Sequence, residues 1–92
     1  MQIVGTIIRI LETKEIGEKQ FKVREIHVDT EEQYVQRLAI QFTQDKTALL
    51  DNFQAGNKVK IDINLKGREG TAKDGQTVVY NAINGWRIEK VS

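Results

Sequence analysis

The chain is 92 residues long and has no cysteine, no proline, one histidine (His27) and one serine (Ser92). That inventory excludes a structural zinc site, which takes about four Cys or His ligands, and any disulfide framework. It also leaves a serine–histidine triad only the terminal residue to use. With 14 basic and 13 acidic groups the net charge is +1, so this is no globally basic nucleic-acid binder, although a local basic groove is compatible with the count.

The charge is unevenly spread. Residues 1–45 carry six basic and eight acidic groups, a balance of −2, and residues 46–92 carry eight and five, a balance of +3. An apolar content of 39% is that of a globular domain, and a chain of this size buries roughly 60–65% of its unfolded surface, enough for one modest core. No apolar stretch approaches the roughly 20 residues of a membrane span, and no basic-then-apolar leader opens the chain. A cytoplasmic protein without membrane contact is expected.

Strand signals dominate. Residues 3–11 are β-branched and apolar on both parities, with Val4, Ile8 and Ile10 on one face and Ile3, Ile7 and Leu11 on the other. Gly5 marks a bend, as in a long first strand that serves two sheets. Residues 13–20 are polar and contain Gly17, so they read as a loop. In the second strand, about 21–29, Phe21 and Val23 share one parity and Ile26 and Val28 the other. A bulge near Arg24–Glu25 would bring all four to the core and leave Lys22, His27 and Asp29 outward. After the polar connector Thr30–Gln33, the third strand, about 34–42, turns Leu38, Ile40 and Phe42 inward and Val35, Arg37, Ala39 and Gln41 outward.

A short helix is predicted at about 46–53, with Asp45 as N-cap, Leu49, Leu50 and Phe53 on one face and Gly56 at its end. The fourth strand, about 57–66, alternates Val59, Ile61, Ile63 and Leu65 with polar residues. Residues 67–75, with three glycines and an Asp–Gly pair, read as a loop or hairpin tip. The fifth strand, about 76–91, puts Val78, Tyr80, Ala82, Trp86 and Ile88 on one parity, with room for a bulge at Asn84–Gly85. The order β-β-β-α-β-β, with a long bent first strand, is that of the mainly β, five-stranded Greek-key barrel known as the OB-fold, as one domain over 1–92. An SH3-like barrel would carry its helical turn later, before the last strand.

The stretch Phe21-Lys-Val-Arg-Glu-Ile-His-Val-Asp-Thr-Glu-Glu-Gln-Tyr34 resembles part of a bacterial and phage family of small OB-fold proteins of unassigned function, themselves likened to single-stranded-DNA-binding proteins. Gln44–Phe53, Gly67-Arg-Glu69 and Trp86-Arg-Ile-Glu-Lys90 resemble it too, so the likeness covers nearly the whole chain. The chain departs from that pattern at Gly70, where the family tends to carry tryptophan, and at Val35, where it tends to carry proline.

The resemblance implies binding of single-stranded nucleic acid, DNA expected and RNA the alternative, with low sequence specificity. Such binding needs a cationic groove and aromatic platforms for bases. On an OB frame the groove gathers Lys19, Lys22, Arg24, Arg37 and Gln41, with Arg68 and Lys73 from the glycine-rich loop and Tyr34 and Tyr80 as stacking residues. Homo-oligomerisation would link grooves, with outward Ile3, Ile7 and Leu11 as a contact. Plainer explanations stand beside these. Lys58, Lys60 and Lys66 suit a solvated strand face; Tyr34, Tyr80 and Trp86 suit the core; Phe21 and Phe53 suit packing; His27 suits a strand surface. Arg24 and Arg37 suit cross-strand ion pairs with Glu25 or Glu32. Glu25, Glu31, Glu32 and Glu69 would weaken phosphate affinity. The rival function is an OB-fold protein-interaction or assembly module. No phosphate-cradling glycine motif or separated carboxylate pair points to an enzyme, and no cofactor, metal or small-molecule substrate is implied.

Overall fold

The computed structural model describes residues 1–91 and begins with a strand that serves two partners. β1 (Gln2–Ile10) pairs antiparallel along Gln2–Thr6 with β5 (Lys58–Thr71) and along Gly5–Ile10 with β3 (Phe21–Thr30). Gly5 is buried at the crossing, opposite both Thr30 and Val59, and a Cβ there would run into the Asp29 carbonyl. Only glycine permits that approach. β1 then bulges at Ile8, because Ile7 faces Val28 while Arg9 faces His27. The extra residue resets the alternation, so Ile3 and Ile7 before it and Ile10 after it all pack in or against the core. The expected outward row of Ile3, Ile7 and Leu11 is therefore corrected, and with Ile7 fully buried it offers no subunit contact.

The remaining elements are β2 (Lys14–Ile16), β4 (Arg37–Thr43), a 3₁₀-helix (Gln44–Asn52) and β6 (Thr77–Lys90). The strands run in the order β1-β5-β6-β4-β3-β2, and the β1–β3 pairing closes five of them into a barrel. β4 meets β6 in parallel over only Ile40–Ile83 and Gln41–Asn84. This is the expected OB-fold Greek-key barrel. β2 is an addition to it, a short strand within the predicted 13–20 loop that pairs with Phe21–Val23.

β3 and β4 pair without interruption from Val23–Thr43 to Asp29–Arg37, so the bulge expected at Arg24–Glu25 is absent. The parity break has another cause. Val23, Glu25, His27 and Asp29 face outward, and Arg24, Ile26, Val28 and Thr30 face inward. Phe21 lies beyond the barrel rim, exposed beside Ile16 of β2 rather than packed inside.

The helix begins with Thr43 in extended conformation as N-cap, without a side-chain cap bond, and Asp45 lies in the first turn rather than at the cap. A 3₁₀-helix has three residues per turn, which aligns Thr47, Leu50 and Phe53. Thr47 and Leu50 are buried and Phe53 packs against the core, whereas Leu49 turns outward. The core itself is Ile7, Ile26, Val28, Ile40, Phe42, Leu50, Val59, Ile61 and Ile63.

Beyond Leu65 the β5–β6 ladder leaves the barrel and runs on as a two-stranded ribbon to Thr71–Thr77, so most of the predicted 67–75 loop is strand. Ala72–Gly75 form the turn, with the Gly75 N–H donating to the Ala72 carbonyl at 2.9 Å and Gly75 at φ 86°. That is a hairpin turn followed by a left-handed glycine. The expected bulge beside Asn84–Gly85 is present: Ile63 faces Gly85, Asp62 faces Arg87, and Trp86 is the extra residue. Trp86 is consequently pushed to the surface, 44% exposed, where the core was expected.

Candidate nucleic-acid interface

The outer face of β3 and β4 is a strip of cross-strand pairs, Val23–Thr43, Glu25–Gln41, His27–Ala39 and Asp29–Arg37. Two hairpins rise beside it. On one side the β2–β3 hairpin closes a cavity of about 170 Å³ whose lining includes Leu11, Lys14, Val23 and Gln41. On the other, the β5–β6 ribbon bounds a cavity of about 460 Å³ lined by Gln41, Lys66, Arg68, Tyr80 and their neighbours. Gln41 lines both, so it marks the centre of a groove that crosses the sheet. Its position follows from the clean alternation of β4, which sends Leu38, Ile40 and Phe42 inward.

The cations along the strip are already engaged. Arg37 donates from Nε to Asp29 Oδ1 at 2.7 Å and from Nη2 to Oδ2 at 2.9 Å, a bidentate fork on the neighbouring strand. This pairing holds the Asp29 carboxyl below the usual carboxylate range, chiefly through the Arg37 hydrogen bonds, and raises the Arg37 pKa in turn. Arg9 Nη1 meets His27 Nδ1 at 2.8 Å, and His27 Nε2 meets Glu25 Oε2 at 2.8 Å. Because a guanidinium only donates, Nδ1 is the acceptor and the ring proton on Nε2 is given to Glu25. The acidic interleaving thus neutralises the centre of the face.

Arg24 is not in the groove. Its inward parity sends the guanidinium beneath the barrel, where Nε donates to the Leu11 carbonyl at 2.9 Å and Nη1 to Asp51 Oδ1 at 2.7 Å. A longer contact of 3.4 Å reaches the Thr47 carbonyl. It ties β3 to the helix and to the end of β1, so the expectation of an outward-facing Arg24 is corrected. Tyr34, placed at the start of a strand from sequence, sits instead in the β3–β4 connector, 76% exposed and outside both groove cavities.

Free positive charge lies on the two flanks. Among the described residues Lys14, Lys19 and Lys22 on one hairpin, and Lys66, Arg68 and Lys73 on the other, form no ion pair. Arg68 and Tyr80 are cross-strand partners, and the guanidinium lies 5.0 Å from the ring centroid. The ring leans over Gly70, whose Cβ, were there one, would meet Tyr80 Cε2 at 3.0 Å. The absence of a side chain at 70 therefore gives the phenol its seat. Sequence reasoning included Tyr80 and Arg68 but missed Lys14, Lys66 and Asn81 as groove-lining residues. Continuing β5 and β6 through the glycines was the available signal for Lys66 and Asn81, whereas Lys14 lies on the three-residue β2, which has no pattern of its own. Among the described residues no three His, Asp or Glu side chains gather in a metal-binding group, and no helix is long and apolar enough to cross a membrane.

The family described as a domain of unknown function (DUF3127) matches residues 2–89, so the chain belongs to that family. No curated protein matches the sequence. Among solved structures, the chain resembles the mitochondrial single-stranded DNA binding protein Rim1 from S. cerevisiae at a TM-score of 0.72 and 15% identity. The match covers 99% of this chain and 92% of that one. At such identity the likeness is one of fold.

Proposed function

We propose that this member of the DUF3127 family binds single-stranded nucleic acid, DNA before RNA, along the outer face of β3 and β4 with little sequence preference. The observation that carries the reading is the Arg68–Tyr80 pair, an exposed aromatic ring backed by a guanidinium at the edge of a groove centred on Gln41. Bases of any identity stack on such a ring. The kinship in fold with a protein named for single-stranded DNA binding supports the same reading.

The division of labour follows from the electrostatics. Lys14, with Lys19 at the hairpin tip, draws the phosphates to one side, and Lys66, Arg68 and Lys73 to the other. Lys22, expected in the groove, lies opposite Glu15 on the other face of the β2–β3 hairpin and acts only at longer range. Tyr80 takes a base from the strand that crosses between them, while Gln41 donates to or accepts from a base edge. Arg37 contributes through whichever N–H groups its fork on Asp29 leaves free, and Tyr34 adds a second platform only for a strand long enough to reach the connector. One barrel offers a footprint of roughly 4–16 nucleotides.

Few phosphates are neutralised by so balanced a chain, and the salt dependence should show it. With about three or four phosphate contacts, log K falls against log salt with a slope of about −2 to −3. Titrating Tyr and Trp emission with oligothymidylate at low and moderate salt tests this. Quenching with that slope supports the proposal; no quenching and no mobility shift at low salt reject it.

A further inference from the structure

We propose that β6 is a pairing edge for a second copy of this chain, joined antiparallel through Thr77–Asn81 about a twofold axis at Val79. The observation is an asymmetry between the two edges of the protruding ribbon. β6 meets β4 only at Ile83 and Asn84, so Thr77–Ala82 has a strand partner on one side alone. β5 is equally free over Asn64–Thr71, where its β1 pairing has ended at Asp62. The β5 edge carries Lys66, Arg68 and Glu69 with two glycines, which is how natural sheets discourage edge pairing. The β6 edge carries nothing of the kind. Gln76 to Trp86 contains no charged residue and no proline, and Val79 is 63% exposed.

The hydrogen-bonding parity fixes the register. The Ala72 N–H donates to the Gln76 carbonyl at 2.9 Å, which makes that pair a hydrogen-bonded one. Antiparallel ladders alternate, so Val78, Tyr80 and Ala82 turn their backbone groups toward β5. Thr77, Val79 and Asn81 turn theirs outward. Two copies antiparallel about Val79 then exchange N–H···O bonds at Val79–Val79 and at Thr77–Asn81 twice over. The same register sets Val78 of each copy beside Tyr80 of the other on one face, a β-branched–aromatic pair of the kind that stabilises sheets. An uncharged strand is compatible with its own antiparallel image, since no like charges meet across the axis. That self-complementarity is why the occupant is another copy rather than a charged peptide. The inference rests on strand geometry alone and does not depend on nucleic-acid binding.

Val79→Pro is the selective test. Its N–H points away from β5, so proline there spares the intramolecular ladder and removes a donor only from the outer edge. Light scattering on the wild type should give twice the 10.5 kDa chain mass, and Val79→Pro should halve it with an unchanged circular dichroism spectrum. The chain has no cysteine, so Val79→Cys supplies a unique thiol at a hydrogen-bonded pair whose spacing suits a disulfide. Air oxidation should cross-link Val79→Cys and not Val35→Cys, which keeps the test decisive even if the proline variant unfolds. A wild-type monomer at high micromolar concentration overturns the proposal, as does a dimer in which Val79→Cys fails to cross-link.

Discussion

Arg68 lies against the Tyr80 ring, guanidinium to centroid 5.0 Å, from the strand directly opposite it in the β5–β6 ribbon. The contact orients the ring, which also lines the groove cavity. It also separates two tyrosines that look alike in sequence, because Tyr34 has no such support and lies outside the groove cavities. Tyr80→Ala is expected to weaken oligothymidylate binding by about 1–3 kcal/mol, the range for one lost stacking platform. Tyr80→Trp should retain affinity, and Tyr34→Ala should leave binding to a short oligonucleotide within twofold of wild type. Fluorescence anisotropy on the three variants measures this, and equal losses at Tyr34 and Tyr80 would place the strand elsewhere.

Arg24 should separate from the other basic residues by what its loss damages. Its guanidinium serves the Leu11 carbonyl and Asp51, and the side chain is 19% exposed. Arg24→Ala leaves the Leu11 acceptor without its partner and loosens the helix from β3, at a cost of about 1–3 kcal/mol. Asp51 is 70% exposed, so Asp51→Ala should cost less than about 1 kcal/mol. Urea unfolding reads both values, while affinity for oligothymidylate, measured on the folded Arg24→Ala protein, should hold. A variant of full stability and lost affinity would return Arg24 to the groove.

Gly85 and Phe42 report on the bulge. A Cβ at Gly85 would press on three carbons of the buried Phe42 ring, all of them closer than an ordinary contact. Gly85→Ala therefore overfills the core and should destabilise by about 1–3 kcal/mol. Phe42→Leu makes room, so the double variant should lose less than the sum of the two single ones. Gly75 is the contrasting case, with φ 86° and open space around it. Its cost on conversion to alanine is backbone strain of about 1 kcal/mol, and Phe42→Leu should not relieve it. Thermal melts of the wild type, the three single variants and the two double variants with Phe42→Leu decide the matter.

What the sequence revealed and what it hid have physical reasons. Val59, Ile61 and Ile63 alternate strictly, and strict alternation has one meaning, a half-buried strand. The parity break in β3 had two, a bulge or a strand that outruns the barrel. Phe21 and Val23 pair with β2 outside the rim, a partner too short to have its own pattern. Trp86 shares a parity with Ile88, but the bulge inserts one residue between the core positions and turns the indole out. Gly67 and Gly70 disguised a ribbon as a loop, since glycine is depleted in strands. For the site, Gln41, Arg68 and Tyr80 were legible from alternation and the OB frame. The engagement of Arg24 and Arg37 was not, because it depends on where the helix and Asp29 come to rest.

The Asp29–Arg37 fork makes a last prediction with a definite sign. Arg37 holds the Asp29 pKa below its ordinary value, and the folded protein therefore binds this proton less readily than the unfolded chain. The pair's contribution to stability is fully present above the ordinary carboxylate range, near 4. It declines as the pH falls through the depressed folded value. At neutral pH the pair is intact, so no change in stability between about pH 6 and 8 should trace to it. Arg37 is exposed and Asp29 half-buried, so the pair still meets solvent and salt should weaken the effect. Carboxyl carbon NMR of Asp29 should show a midpoint below that of an unpaired aspartate, and Arg37→Ala should move it upward. That variant tests the groove as well: freeing Asp29 leaves an unpaired carboxylate on the outer strip, so oligothymidylate affinity should fall above the Asp29 midpoint and recover below it. A midpoint unmoved by Arg37→Ala would mean that the fork is not maintained in solution.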